Sequence, residues 1–90
     1  MEPDIVPLRD GEYLLDGSLS IAQINLAFDL KLESEYYDTI SGYMIERLGY
    51  IPNKLKGGSI KACGYAFTVG ETEGNTIRKV VMKRLPEGEA

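Results

Sequence analysis

The hydrophobic pattern of this chain turns from helical to strand spacing near residue 58, and that change restricts the fold more than any other feature. Before it, apolar residues recur three and four places apart, as Ile21, Ile24 and Phe28 and again as Ile40, Tyr43, Met44 and Leu48. After it, Ile60 and Ala62, then Tyr65, Phe67 and Val69, alternate with other residues. The first spacing lines one face of a helix and the second one face of a strand. A short strand, two helices and then strands place the helices on one face of a small, mostly antiparallel sheet, an α+β domain. Ninety residues hold one core of this kind and no second.

The boundaries come from local signals. Residues 1–10, with Pro3 and Pro7 among mixed charges, read as an irregular lead-in or linker, residues 11–85 as the domain and residues 86–90 as a frayed acidic tail. Glu12-Tyr13-Leu14-Leu15-Asp16 is strand-compatible and ends at the Asp16-Gly17 turn signal. Ser20-Ile21-Ala22-Gln23 has capping-box spacing, with Leu19 and Ile24 at the hydrophobic-staple positions, so a helix starts there. Ile21, Ile24 and Phe28, with Ala27 beside them, form its packing face. Leu30 and Leu32, alternating with Asp29 and Lys31, mark its end and a return to extended chain.

Asp38 or Thr39 caps the second helix. Gly49 stands where a left-handed terminating residue is wanted, and Pro52 blocks continuation. Residues 53–58 read as a loop. Glu71-Thr72-Glu73-Gly74-Asn75 is the polar turn of a long closing hairpin whose second strand carries Ile77, Val80 and Met82. The step of three from Ile77 to Val80 breaks a period of two and predicts a β-bulge near Arg78-Lys79.

The residue inventory excludes much chemistry. Without histidine, serine–histidine and cysteine–histidine nucleophile pairs cannot form, and the commonest general base is missing. Cys63 alone makes neither an intrachain disulfide nor a cysteine zinc site. Ten Lys and Arg against fourteen Asp and Glu give −4, opposite in sign to a nucleic-acid footprint. No stretch approaches the roughly 18–20 apolar residues that span a bilayer, so direct membrane insertion by this segment is not expected. No residue is assigned a catalytic, cofactor-binding or metal-ligating role.

Glu33, Glu35 and Asp38 are oxygen donors of the kind hard cations accept, but they lack calcium-loop spacing and read first as solvated charge near a helix start. Gly57-Gly58, Gly70 and Gly74 do not open a helix after a strand, as a phosphate loop does, and read as turn residues. Cys63, placed inside a strand, reads as a small buried hydrophobe. Tyr36-Tyr37 in extended chain leaves one ring exposed, a potential binding surface. Arg78, Lys79, Lys83 and Arg84 form a basic cluster that solvates or blunts the sheet, with an anionic partner or nucleotide as the other reading.

Taken in order, several segments resemble the CorC/HlyC transporter-associated domain. Tyr13-Leu14-Leu15-Asp16-Gly17 is similar to its first strand, and Ser20 to Asn25 leading to Leu30-Lys31-Leu32 to its first helix and exit. Asp38-Thr39-Ile40-Ser41-Gly42, then Leu48-Gly49-Tyr50-Ile51-Pro52 and Gly57 or Gly58, resembles its most recognisable stretch. Tyr65-Ala66-Phe67-Thr68-Val69 with Ile77-Arg78-Lys79-Val80 is similar to its closing hairpin. These residues cap helices and fix turns, and Gly42 is expected to permit close approach to the sheet.

The resemblance implies a non-enzymatic regulatory module on the cytoplasmic side of the bacterial inner membrane. Its implied partners are a CBS-domain pair and a transmembrane region of a magnesium and cobalt efflux or hemolysin-like protein, with self-association kept open. It also implies a fold similar to part of the PCMH-type FAD-binding domain. The competing expectation is a small-ligand domain for an adenine nucleotide, FAD or a divalent cation, contacted by Arg78, Lys79 or an exposed tyrosine. No cofactor is required by the first reading.

Overall fold

The computed structural model describes residues 3–88. Its elements are β1 (Ile5–Arg9), β2 (Glu12–Asp16), α1 (Ile21–Phe28), α2 (Ile40–Leu48), β3 (Ser59–Ala62), β4 (Tyr65–Glu73) and β5 (Thr76–Arg84). The strands form one antiparallel sheet in the order β1-β2-β5-β4-β3.

β1 corrects the expected irregular lead-in. Ile5 and Val6 pair with Leu15 and Leu14, and Gly11, at φ 76°, closes the hairpin. Pro7 obscured the strand, yet β1 is an edge, where a missing amide donor costs no ladder bond on the open side. Residues 1–2 and 89–90 lie outside the described segment. Residues 86–88 belong to no helix or strand.

Each sheet face follows from alternation. Leu15, Phe67, Val80 and Met82 point to the helices and are fully buried, with Ile77 and, from α1 and α2, Ile24, Ile40, Tyr43 and Met44. Phe28 reaches Tyr13 and Tyr65 edge-on at centroid distances of 4.9 and 6.0 Å, which fastens the end of α1 to the sheet. The Ile77-to-Val80 step is accommodated as expected, by a register shift at Arg78, and a second shift at Gly70 faces it on β4. Both apolar residues therefore reach the core.

The capping box at Ser20 is complete: its hydroxyl oxygen accepts from the Gln23 amide, and the Gln23 side chain returns to the Ser20 amide. α1 ends at Asp29 in a left-handed conformation (φ 55°). Ala27 is exposed, not packed, because it stands at the flank of the face formed by Ile21, Ile24 and Phe28, beyond the reach of the sheet. The extended return is held by a side chain: Asn25 accepts from the Leu32 amide at 2.8 Å and donates to the Leu32 carbonyl at 3.0 Å. Thr39, not Asp38, caps α2, and Gly49 ends it at φ 81°.

Cys63 departs from expectation. It is exposed, with φ 51°, and forms with Gly64 (φ 82°) the two-residue turn from β3 to β4. Two positive φ angles match the twist of the flanking strands. A strand pattern running through residues 60–69 concealed that reversal.

Candidate functional site

The two helix starts are stitched together. Ser20 and Thr39 form an isolated antiparallel bridge in which the Ile21 amide donates to the Asp38 carbonyl at 2.8 Å and the Ile40 amide to the Leu19 carbonyl at 2.9 Å. The next amide of α2, Ser41, donates to the Gly17 carbonyl at 3.0 Å, and the Gly42 amide donates to the Thr39 hydroxyl oxygen at 3.2 Å. A helix N-terminus attracts anions through unsatisfied amides. At α2 those three donors are already engaged, so this end is a structural joint.

Beside the joint runs a groove of about 570 Å³ whose lining includes Asp16, Ser18, Tyr37, Gly42 and Arg78. Asp16 accepts from the Ser18 amide at 2.9 Å and the Ser18 hydroxyl at 2.7 Å. These bonds hold its carboxyl below the usual range, aided by the Lys79 and Arg78 charges and opposed by partial burial. Burial pushes the Tyr43 hydroxyl up, with Arg47 opposing. Tyr43 also accepts a hydrogen bond from Arg47 at 3.2 Å.

Gly42 makes room for an aromatic ring, not for the sheet. A Cβ there would stand 2.4–2.6 Å from Cδ1, Cγ and Cβ of Tyr37. Gly42→Ala is therefore expected to displace Tyr37 and cost about 1–2 kcal/mol, several degrees of melting temperature in a domain this size. Thermal melts of a double-mutant cycle with Tyr37→Ala check it: the double variant should be no less stable than Tyr37→Ala alone.

The candidates from the sequence separate as follows. Tyr36 and Tyr37 are both exposed, and Tyr37 shares its groove with Arg78. Glu33, Glu35 and Asp38 are exposed along a different groove, and among the described residues no three acidic or sulfur side chains converge as a cation site. Arg78 pairs with Glu73 at 2.9 Å, and Lys79 lies 4.0 Å from Asp16. Arg84 packs against Gly11, and Lys83 stands on the open face between Glu12 and Ala66. The basic residues of β5 are thus dispersed over both sides of the sheet. The open face carries Val6, Leu14 and Val81 in one cross-strand row, continued by Thr68 and Ser59, whose hydroxyls meet at 3.0 Å. With β1 read as an irregular lead-in, the place of Val6 at the end of that row was hidden.

The sequence profile of the CorC_HlyC transporter associated domain matches residues 6–86. The chain belongs to this family. Among curated relatives, the UPF0053 protein sll0260 of Synechocystis is 37% identical over 90 residues, covering 96% of this chain and 20% of that protein. A polyamine export protein of Haemophilus influenzae is 30% identical over 90 residues, with 98% and 20% covered. The UPF0053 inner membrane protein YfjD of Escherichia coli is 27% identical over 77 residues, with 86% and 18% covered.

A solved hemolysin domain from Enterococcus faecalis superposes with a TM-score of 0.88 at 27% identity, covering 93% of this chain and all of that one. The CorC_HlyC chain described here spans about a fifth of the length of the curated relatives it matches. Among its described residues, no helix is long and apolar enough to cross a membrane. The family's description names an association with transporters and no catalytic activity.

Proposed function

We propose that this CorC_HlyC domain is a non-catalytic regulatory and interaction module of a bacterial membrane transport protein, where it modulates ion efflux, with magnesium and cobalt as the first cargo to test. The carrying observation is that a transporter associated profile matches nearly the whole chain, while the chain is about a fifth of the curated relatives, one of them an inner membrane protein. The partners in this reading are a CBS-domain pair and the transmembrane region, with the domain on the cytoplasmic side. Regulation of this kind requires contacts that differ between two states of the transporter.

Deleting the domain from the full-length protein is expected to change efflux or its regulation severalfold. Magnesium, cobalt and, because a 30% identical relative is a polyamine export protein, polyamine flux should be measured separately. A change in polyamine flux alone reassigns the cargo. Unchanged flux and regulation in all three overturns the module.

One observation favours a second reading: the groove that holds both Tyr37 and Arg78. An adenine or flavin ring stacked on Tyr37 with phosphates on Arg78 is the adenine-nucleotide or FAD alternative. Likeness to a PCMH-type flavoprotein fold supplies no flavin site by itself. A thermal-shift series with adenosine monophosphate, adenosine triphosphate, FAD and magnesium decides. A ligand at a hundred times its Kd adds about 2.7 kcal/mol, and no shift removes this reading.

A further inference from the structure

The outer edge of β4 is paired along only part of its length. β3 ends opposite it at Ser59 and Thr68, and the Gly58 carbonyl accepts the Val69 amide at 2.9 Å. β4 then continues through Gly70, Glu71, Thr72 and Glu73 with β5 on its inner side. Among the described residues, no backbone group pairs with the outer side of that segment. A groove of about 890 Å³ lies between this edge and the loop of residues 53–57.

The loop is firmly built. Asn53 Oδ1 accepts from the Leu55 and Lys56 amides at 2.8 and 3.0 Å, and Asn53 and Lys56 exchange backbone hydrogen bonds. The Tyr50 hydroxyl donates to the Gly57 carbonyl at 2.7 Å, and the Lys56 ammonium sits 4.2 Å above the Tyr50 ring. This fixed turn holds Leu55 99% exposed beside an unpaired strand. A free edge offers main-chain hydrogen bonds and a neighbouring apolar group offers side-chain selectivity, the two requirements of strand addition.

We infer that this notch accepts an extended peptide segment of a partner, which adds to β4 as a further strand. The incoming strand places an apolar side chain against Leu55 and a lysine or arginine beside Glu71 and Glu73. Arg78 holds Glu73 through Oε1, leaving its other oxygen to a cation on the new strand. A second copy of this chain fits poorly. Antiparallel pairing of two such edges about Thr72 sets the glutamates of the copies opposite one another, and directly opposed like charges destabilise a sheet. The inference rests on reading the domain as an interaction module and names the surface that interaction uses.

The test is an NMR titration of the 90-residue chain. The probes are a synthetic peptide of alternating lysine and valine and one of alternating glutamate and valine. The lysine peptide is expected to bind with a Kd of about 10–100 μM. It should shift and protect the amides of residues 70–73 and shift Leu55. The glutamate peptide should bind about tenfold more weakly. Leu55→Ser, which removes the apolar contact without adding charge, should weaken the lysine peptide about fivefold without changing the melting temperature. Glu71→Lys with Glu73→Lys should reverse the preference.

No shift up to about 1 mM overturns the inference. So do shifts elsewhere, equal binding of both peptides, or self-pairing through residues 70–73. In the full-length protein, a flux changed by domain deletion but not by the three substitutions together removes the notch and leaves the module standing.

Discussion

Gly17→Ala is expected to cost about 3 kcal/mol or more, the largest loss of any single glycine substitution in this domain. A Cβ at Gly17 would fall 1.8 Å from the Ile77 carbonyl oxygen, 2.9 Å from its carbon and 3.3 Å from the Arg78 carbonyl carbon. These are backbone atoms, so no rotamer change relieves the clash. Nor can the strands simply part. The Gly17 amide donates to the Arg78 carbonyl at 2.8 Å, the Gly17 carbonyl accepts from Ser41, and the buried Ser41 hydroxyl oxygen accepts from the Ile77 amide at 3.1 Å.

One methyl group thus loosens β2, β5 and the start of α2 together. At roughly 0.05–0.15 kcal/mol per residue, total stability is about 5–13 kcal/mol, so the loss is a large share of it. Gly49→Ala is the control. Nothing lies within 4 Å of its added Cβ, and only the left-handed φ of 81° is penalised, about 1–2 kcal/mol. Urea denaturation of both variants checks the pair. A Gly17→Ala loss no larger than that of Gly49→Ala would show that the backbone yields at the joint.

Gly17 also shows what a sequence conceals. Asp16-Gly17 is legible as a turn signal, and Asp16 does cap that turn through Ser18. The reason the position excludes a side chain lies sixty residues further on, at Ile77, and appears only when β5 is laid beside β2. Signals closed within one turn were readable for the same reason in reverse. The Ser20–Gln23 box, the Gly49 terminus and the bulge at Arg78 depend on residues a few places apart. Where a choice depended on a partner, as between Asp38 and Thr39, the local pattern left it open. Pro7 hid β1 because the tolerance of an edge for proline depends on strand order. The notch beside β4 was illegible too, since it exists only because β3 is shorter than the strand it pairs with.

Phe67→Ala is the second large effect, and its neighbours make it informative. Phe67 is 0% exposed on β4, between Ile60 of β3 and Met82 of β5 in register. Its truncation removes the transfer energy of the ring and leaves a cavity bordered by two strands and the helices, about 3–5 kcal/mol. Ala66 and Thr68, one residue either way, point to the open face, and Thr68 loses only its exposed hydrogen bond to Ser59. Thr68→Ala is therefore expected to stay within about 0.5 kcal/mol of the parent. Adjacent positions of one strand then differ about sixfold or more in cost because a single step reverses the side chain from core to water. Thermal and urea denaturation of both variants measure that contrast. Equal losses would mean that the open face is packed as tightly as the core, and the assignment of the helices to one side of the sheet would fall with it.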